Sequence, residues 1–269
     1  MNGSTDRLAR GSQLRRSGAI ALVCALAVGC ASPGPTDEEL FKNAQKSEAH
    51  RNLGLDHLNN GRNALAIREL QQARGFDPVD ADNLHWLGEA HRRKGLLDEA
   101  EGLVLEALVL DPDNRTARLT LSGLYIQLDR FDEAIEQAQV LIDDPAYPHP
   151  WLAHNNVGWA QLQLARIGEA RGSFERALDY HQRYWPAHLN LGILEAGEGH
   201  KLQAVESFRL VLEQDLGRHV VAEVSYRLGE VYVGLGRRKK AVKYFTAAVE
   251  RSPHGYWGKQ SEGYLKLLY

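Results

Sequence analysis

SEAHRNLGLDHLNNGRNALAIRELQQARGFDPVD (residues 47–80) and ADNLHWLGEAHRRKGLLDEAEGLVLEALVLDPDN (residues 81–114) place small and apolar residues at the same positions. Leu53-Gly54, Ala66, Leu70, Ala73 and Pro78 recur 34 residues later as Leu87-Gly88, Ala100, Val104, Ala107 and Pro112. A further step of 34 reaches Leu121-Ser122, Ala134, Ala138 and Leu141, where the pattern weakens. After a two-residue insertion come Val157-Gly158, Ala170, Phe174 and Ala177, then Leu191-Gly192, Ala204, Phe208 and Val211. A three-residue insertion leads to Leu228-Gly229, Tyr232, Ala241, Phe245, Ala248 and Pro253. Units 47–80, 81–114, 115–150, 151–184, 185–221 and 222–255 tile this span without a leftover loop.

Six copies of this spacing resemble the tetratricopeptide repeat. The resemblance implies that each unit is two antiparallel helices. The fold is then all-α, a right-handed superhelical solenoid of about six helix pairs. Gly or a small residue at the eighth position lets the first helix approach closely. Ala66, Ala100, Ala134, Ala170, Ala204 and Ala241 do the same on the second helix, where a larger side chain would overpack. Between the helices, Gly61, Gly95, Gly199 and Gly236 share one place with Asp129 and Ala165. That place calls for a positive φ, which makes Ala165 the costly exception. Units of this kind cannot bury their apolar faces alone, so they stack and leave an inner groove. Residues 256–269 form a capping helix, with Trp257, Tyr264, Leu265 and Leu268 on one side.

Composition sets further limits. The 269 residues are 43% hydrophobic and 25% charged, with 25 Gly and 9 Pro, which excludes a collagenous, low-complexity or multi-span membrane chain. The formal charge is −3, and −6 once residues 1–29 are set aside, so nucleic acid is not an expected partner.

Residues 1–29 read as an export signal. Arg7, Arg10, Arg15 and Arg16 precede the apolar run Gly18–Gly29, whose twelve residues span roughly 18 Å as a helix, short of the ~30 Å hydrocarbon core. Ala27-Val28-Gly29-Cys30 resembles the lipobox of bacterial lipoproteins, with Ala27 where Leu is usual. Cys30 is then the lipidated residue and, once Cys24 is removed with the signal, the sole thiol, so neither a disulfide nor a thiolate metal site is expected. Ala31, by resemblance to bacterial sorting rules, directs the lipoprotein to the outer membrane. An ordinary secretory signal cut elsewhere is the competing reading. Residues 30–46 supply the lipidated Cys, a stiff tether and the start of the first helix. Thr36 and Glu39 have capping-box spacing, which predicts a helix from about Asp37.

Motifs for catalysis are missing: there is no HExxH, GxSxG, P-loop or clustered metal-ligand spacing. The sequence therefore predicts no enzyme, no cofactor, no metal and no small-molecule substrate. Glu89, His91, Arg92 and Arg93 read as a solvated charged face, and His154 and His188 as packing residues. In tetratricopeptide arrays, ligands meet positions 2, 5, 9, 12 and 13 of each first helix. Here the candidates are Arg51, Leu55, His85, Glu89 and Arg92 at a polar end. Leu119, Ile126, Leu152, Asn155, Trp159, Leu162, Leu189 and Ile193 follow in an apolar middle. A polar end and an apolar middle suit an amphipathic or extended peptide, with Trp159 as anchor. The alternative is that these residues pack the superhelix against itself. The clamp that chaperone cofactors use for a C-terminal carboxylate is absent, since Leu55 and Trp86 stand at its places.

The insertion between the third and fourth units adds a narrower resemblance. Asp143-Asp-Pro-Ala-Tyr147-Pro148-His-Pro150-Trp151-Leu-Ala-His-Asn155-Asn156-Val-Gly158-Trp159-Ala160 is similar to the Tyr-Pro-x-Pro stretch and Asn-x-Gly-Trp-Ala helix of the pilotin lipoproteins of type IV pili. That resemblance implies a non-catalytic protein, held at the periplasmic face of the outer membrane, whose groove captures a secretin subunit. A general periplasmic adaptor for envelope enzymes or polysaccharide export is the competing function.

Overall fold

The computed structural model describes residues 35–268. The signal at 1–29, the lipidation site Cys30 and the tether residues up to Gly34 lie outside the described residues. Thirteen helices make up the described chain. α1 (Asp37–Asn59) pairs with α2 (Asn63–Phe76), α3 (Ala81–Lys94) with α4 (Leu97–Leu110), and α5 (Arg115–Gln127) with α6 (Phe131–Ile142). α7 (Pro150–Gln163) pairs with α8 (Ile167–Tyr180), α9 (Trp185–Gly197) with α10 (Lys201–Leu212), and α11 (Arg218–Gly234) with α12 (Arg238–Arg251). α13 (Tyr256–Leu268) closes the stack against α11 and α12.

Local chemistry sets the ends of these helices. Thr36 and Glu39 form the reciprocal capping box that starts α1. Asp80 accepts from the amides of Asp82 and Asn83 to start α3, Asn114 accepts from that of Ala117 to start α5, and Pro150 opens α7. Within each pair the chain reverses through one left-handed residue: Gly61, Gly95, Asp129, Ala165, Gly199 and Gly236 all have φ between 57° and 82°. The residue after it donates back five positions, as Arg62 does to His57 O at 2.8 Å and Arg166 to Gln161 O at 2.9 Å. Asp129 and Ala165 hold this conformation at φ 57° despite carrying a Cβ.

Close approach within a pair rests on the eighth-position residue. A Cβ at Gly192 would lie 2.5 Å from the Phe208 ring, and one at Gly229 would lie 2.5 Å from the Phe245 ring. Gly54 faces Leu70, Gly88 faces Val104 and Gly158 faces Phe174 in the same way. The six second-helix alanines are fully buried. The two insertions are absorbed differently. Tyr147 folds in from the α6–α7 connection onto Ala138, Leu141, Ala153 and Val157, whereas the second insertion lets α11 begin at Arg218. At the far end Tyr264 stacks on Phe245 at 4.6 Å, and Trp257 lies 5.2 Å from Tyr226.

Each odd-numbered helix packs on the next odd one, from α1·α3 to α11·α13, while among the described residues no two even-numbered helices bring their backbones together, α2 and α4 meeting through the long side chains of Arg74 and Glu106. A stack that curves compresses its inner layer. The odd helices therefore form the inner, concave side and the even ones the outer side.

Candidate protein-binding groove

On that inner side the structure opens a cleft of ≈ 280 Å³ across α3, α5 and α7. Glu89 and Arg92 of α3, Leu119, Thr120 and Gly123 of α5, Leu152 and Asn156 of α7, and Tyr184 just before α9 line it. Gly123 leaves it open: a Cβ built there meets no atom within 4 Å.

The polar wall is rigid. Glu89, expected on a solvated face, is instead buried at 5% exposure, because the stacking of α3 against α5 covers it. Its carboxylate accepts from Arg92 Nε at 2.7 Å and Arg93 Nε at 2.6 Å, and Arg93 also donates to Leu58 O at 3.1 Å. Burial pushes this carboxyl up, but the hydrogen bonds and charges of the two arginines outweigh it and hold it below the ordinary carboxylate range. The cleft wall is thus an ionised carboxylate with its charge already satisfied, leaving the outer edge of Arg92 as the polar feature open to a ligand. Behind it, His85 Nε2 sits 3.0 Å from Thr120 Oγ1, and burial pushes the imidazole down to about 4, so it is neutral at neutral pH. Burial also raises the Tyr184 phenol to about 12, which keeps its hydroxyl protonated and able to donate. Asn156 donates to Ser122 Oγ at 3.2 Å, which orients its side chain.

Of the thirteen groove residues expected from sequence, the structure brings Glu89, Arg92, Leu119 and Leu152 together in this cleft. The others make contacts within the stack. Arg51 is ion-paired to Asp80 at 2.6 Å. Leu55 and Ile126 pack on the core cluster that runs from α1 to α7, and His85 is 1% exposed. Trp159 and Leu162 pack against Phe174, Leu191 and Leu194. Leu189 is buried in the last cluster with Ile193 packed against it, and Asn155 accepts from Asn190 at 2.9 Å between α7 and α9. His154, read as a packing residue, stacks on Tyr180 at 5.6 Å, while His188 Nε2 instead meets Gln182 O at 2.9 Å. The missed lining residues are Thr120, Gly123, Asn156 and Tyr184. Gly123 stands at a ninth position and was within reach of the positional rule. Tyr184 ends its unit and carried no such signal.

No group of three or more His, Cys, Asp or Glu side chains among the described residues is arranged to hold a metal ion. The cleft's lining offers hydrogen bonding and apolar contact. Stacked helix pairs with a lined inner face define a repeat-type binding protein. Models of the tetratricopeptide repeat match residues 51–115, 119–184, 157–219 and 222–254, and the chain belongs to that family.

Among relatives, the chain is similar to the type IV pilus assembly protein PilF of Pseudomonas aeruginosa, with 27% identity over 165 residues, 59% of this chain and 65% of PilF. It is 31% identical over 137 residues to mouse Superkiller complex protein 3, covering 48% of this chain and 9% of that protein. The chain thus spans less than two thirds of the length of either relative. The solved structure of Pseudomonas aeruginosa PilF superposes with a TM-score of 0.65 at 20% identity, covering 82% of this chain and 99% of that one. The type IV pilus biogenesis factor PilW gives 0.69 at 19% identity, covering 80% and 97%. At such identities the likeness is one of fold.

Proposed function

We propose that this chain is a non-catalytic, lipid-anchored adaptor of type IV pilus biogenesis, held through Cys30 at the periplasmic face of the outer membrane. In this reading it captures a segment of an outer-membrane secretin subunit in the α3–α5–α7 cleft. The observation that carries the reading is the cleft itself. A rigid polar wall at Glu89 and Arg92 faces an apolar side at Leu119 and Leu152, with Tyr184 and Asn156 as polar contacts, an arrangement suited to a short peptide. The relatives PilF and PilW, both named for the type IV pilus, support the pathway. Confining both partners to one membrane raises their effective concentration, so modest affinity in the cleft suffices.

Gly123→Phe tests the cleft directly. The new ring enters open space rather than the core, so the fold is retained while binding is blocked. Cells carrying it should lose multimeric secretin and pili to the same degree as a deletion strain, and Cys30→Ser should mislocalise the protein. Normal secretin multimers in the deletion strain would overturn the proposal.

A further inference from the structure

The outer layer carries a second surface, at the opposite end of the stack from α1 and independent of the groove. Arg237, Arg238, Lys239 and Lys240 run into the start of α12, with Lys243 one turn on, and all five are exposed. Three other second helices begin with acid: α4 has Asp98 and Glu99 in its first turn, α6 has Asp132 and Glu133, and α8 has Glu169, while α2 and α10 have no acidic residue there and neither carries such a run of cations. Acidic residues there suit the positive end of the helix dipole, and cations oppose it. The helix dipole therefore does not favour this run of charge, and the chain's net charge of −3 shows that it is not part of a generally basic surface. None of the five joins an ion pair among the described residues. Lys240 and Lys243 instead lie over the rings of Tyr232 and Tyr244.

Apolar surface adjoins the cations. Arg238 donates to the Leu268 carbonyl, which ties the end of α13 to the start of α12. Arg238, Lys239, Val242 and Leu268 line a shallow notch of ≈ 370 Å³, and Leu267 beside it is 83% exposed.

We infer that this end of the solenoid docks on a bilayer surface bearing anionic phospholipid. The cations meet lipid phosphates, and Leu267 enters the interface. Cationic side chains around exposed aliphatic ones are the composition that such a surface selects. The notch's side chains offer no hydrogen-bond acceptor for the amide groups of a peptide, and the patch sits on the convex layer, which a flat membrane can meet and a cradled chain cannot.

The test uses the full chain and its variant with Arg237, Arg238, Lys239, Lys240 and Lys243 all changed to Gln. Both are sedimented with phosphatidylcholine vesicles lacking or containing phosphatidylglycerol. Both carry the same residues 1–34, so any contribution from these cancels in the comparison. At roughly fivefold per cation, the wild type should prefer anionic vesicles over the variant by more than tenfold, and high salt should remove the difference. Leu267→Ser should weaken binding to both vesicle types, and Arg237→Lys with Arg238→Lys should retain binding. Melting of the five-site variant should stay near wild type, since relief of charge at the helix end offsets the lost Arg238–Leu268 hydrogen bond and the Lys240 and Lys243 ring contacts. An unchanged preference in the variant overturns the inference. So does displacement of the protein from vesicles by inorganic phosphate at constant ionic strength, which marks a small-anion site, or tighter binding to soluble polyglutamate, which marks an acidic polypeptide as the occupant.

Discussion

The α9–α10 and α5–α6 pairs occupy the same place in the repeat and are held together by different means. In α9–α10 the Phe208 ring presses on Gly192, where a Cβ would stand 2.5 Å away. In α5–α6 the facing residues are Ser122 and Ala138, and the Ser122 hydroxyl donates to Ala134 O at 2.9 Å. The eighth position is therefore not a requirement for Gly as such. It is one half of a complementary pair, and a Cβ is accepted where the opposite residue shrinks. The pair without a large side chain at this contact is also the one whose first helix supplies Leu119, Thr120 and Gly123 to the cleft.

Phe208→Ala breaks the comparison most sharply. Emptying that contact should cost about 3–5 kcal/mol in urea unfolding, against about 1–2 kcal/mol for Ala138→Gly, where helix propensity and one buried methyl are lost. Gly192→Ser should cost about 1–3 kcal/mol by overpacking. Combining it with Phe208→Ala recreates the α5–α6 arrangement, and the double variant should be more stable than the sum of the single losses by about 1–2 kcal/mol. Strict additivity would show that the two positions are not coupled.

Between α3 and α5 the tie through His85 should respond to pH. Its pKa falls from 6.5 to about 4 on folding because burial disfavours the imidazolium, so the folded state binds fewer protons than the unfolded state across that window. Its contribution is fully present above pH 6.5 and is lost as pH falls toward about 4. By linkage this amounts to about 2 kcal/mol near pH 5, and His85→Asn should flatten that part of the stability profile. The smallest effect is a gain. Ala165→Gly relieves the left-handed Ala and should stabilise the α7–α8 turn by up to about 1 kcal/mol, whereas Gly199→Ala at the equivalent place in α9–α10 should lose a similar amount.

Much of this was legible in the residues. The six left-handed turn positions, including Asp129 and Ala165, could be read from alignment of the units, because a reversal between antiparallel helices allows only one backbone geometry there. The capping box at Thr36 and Glu39 was readable for the same reason, since its partners are three residues apart. Glu89 was not, because its burial depends on α5, which lies a whole unit away. Trp159 illustrates the converse: a groove position by count is also half-buried against Phe174 and Leu191.

What the sequence determined by itself is the repeat: paired helices, small residues at their contacts, and the reversals between them, all governed by interactions within a single unit. Which inner-face residues stay open was decided only by the tertiary structure. Tyr184 reaches the cleft, and Leu189 is lost to the core, according to the angle at which successive pairs stack. That angle comes from packing between units, including Tyr147 folded into the α6–α7 junction, and a spacing of 34 along the chain carries no record of it.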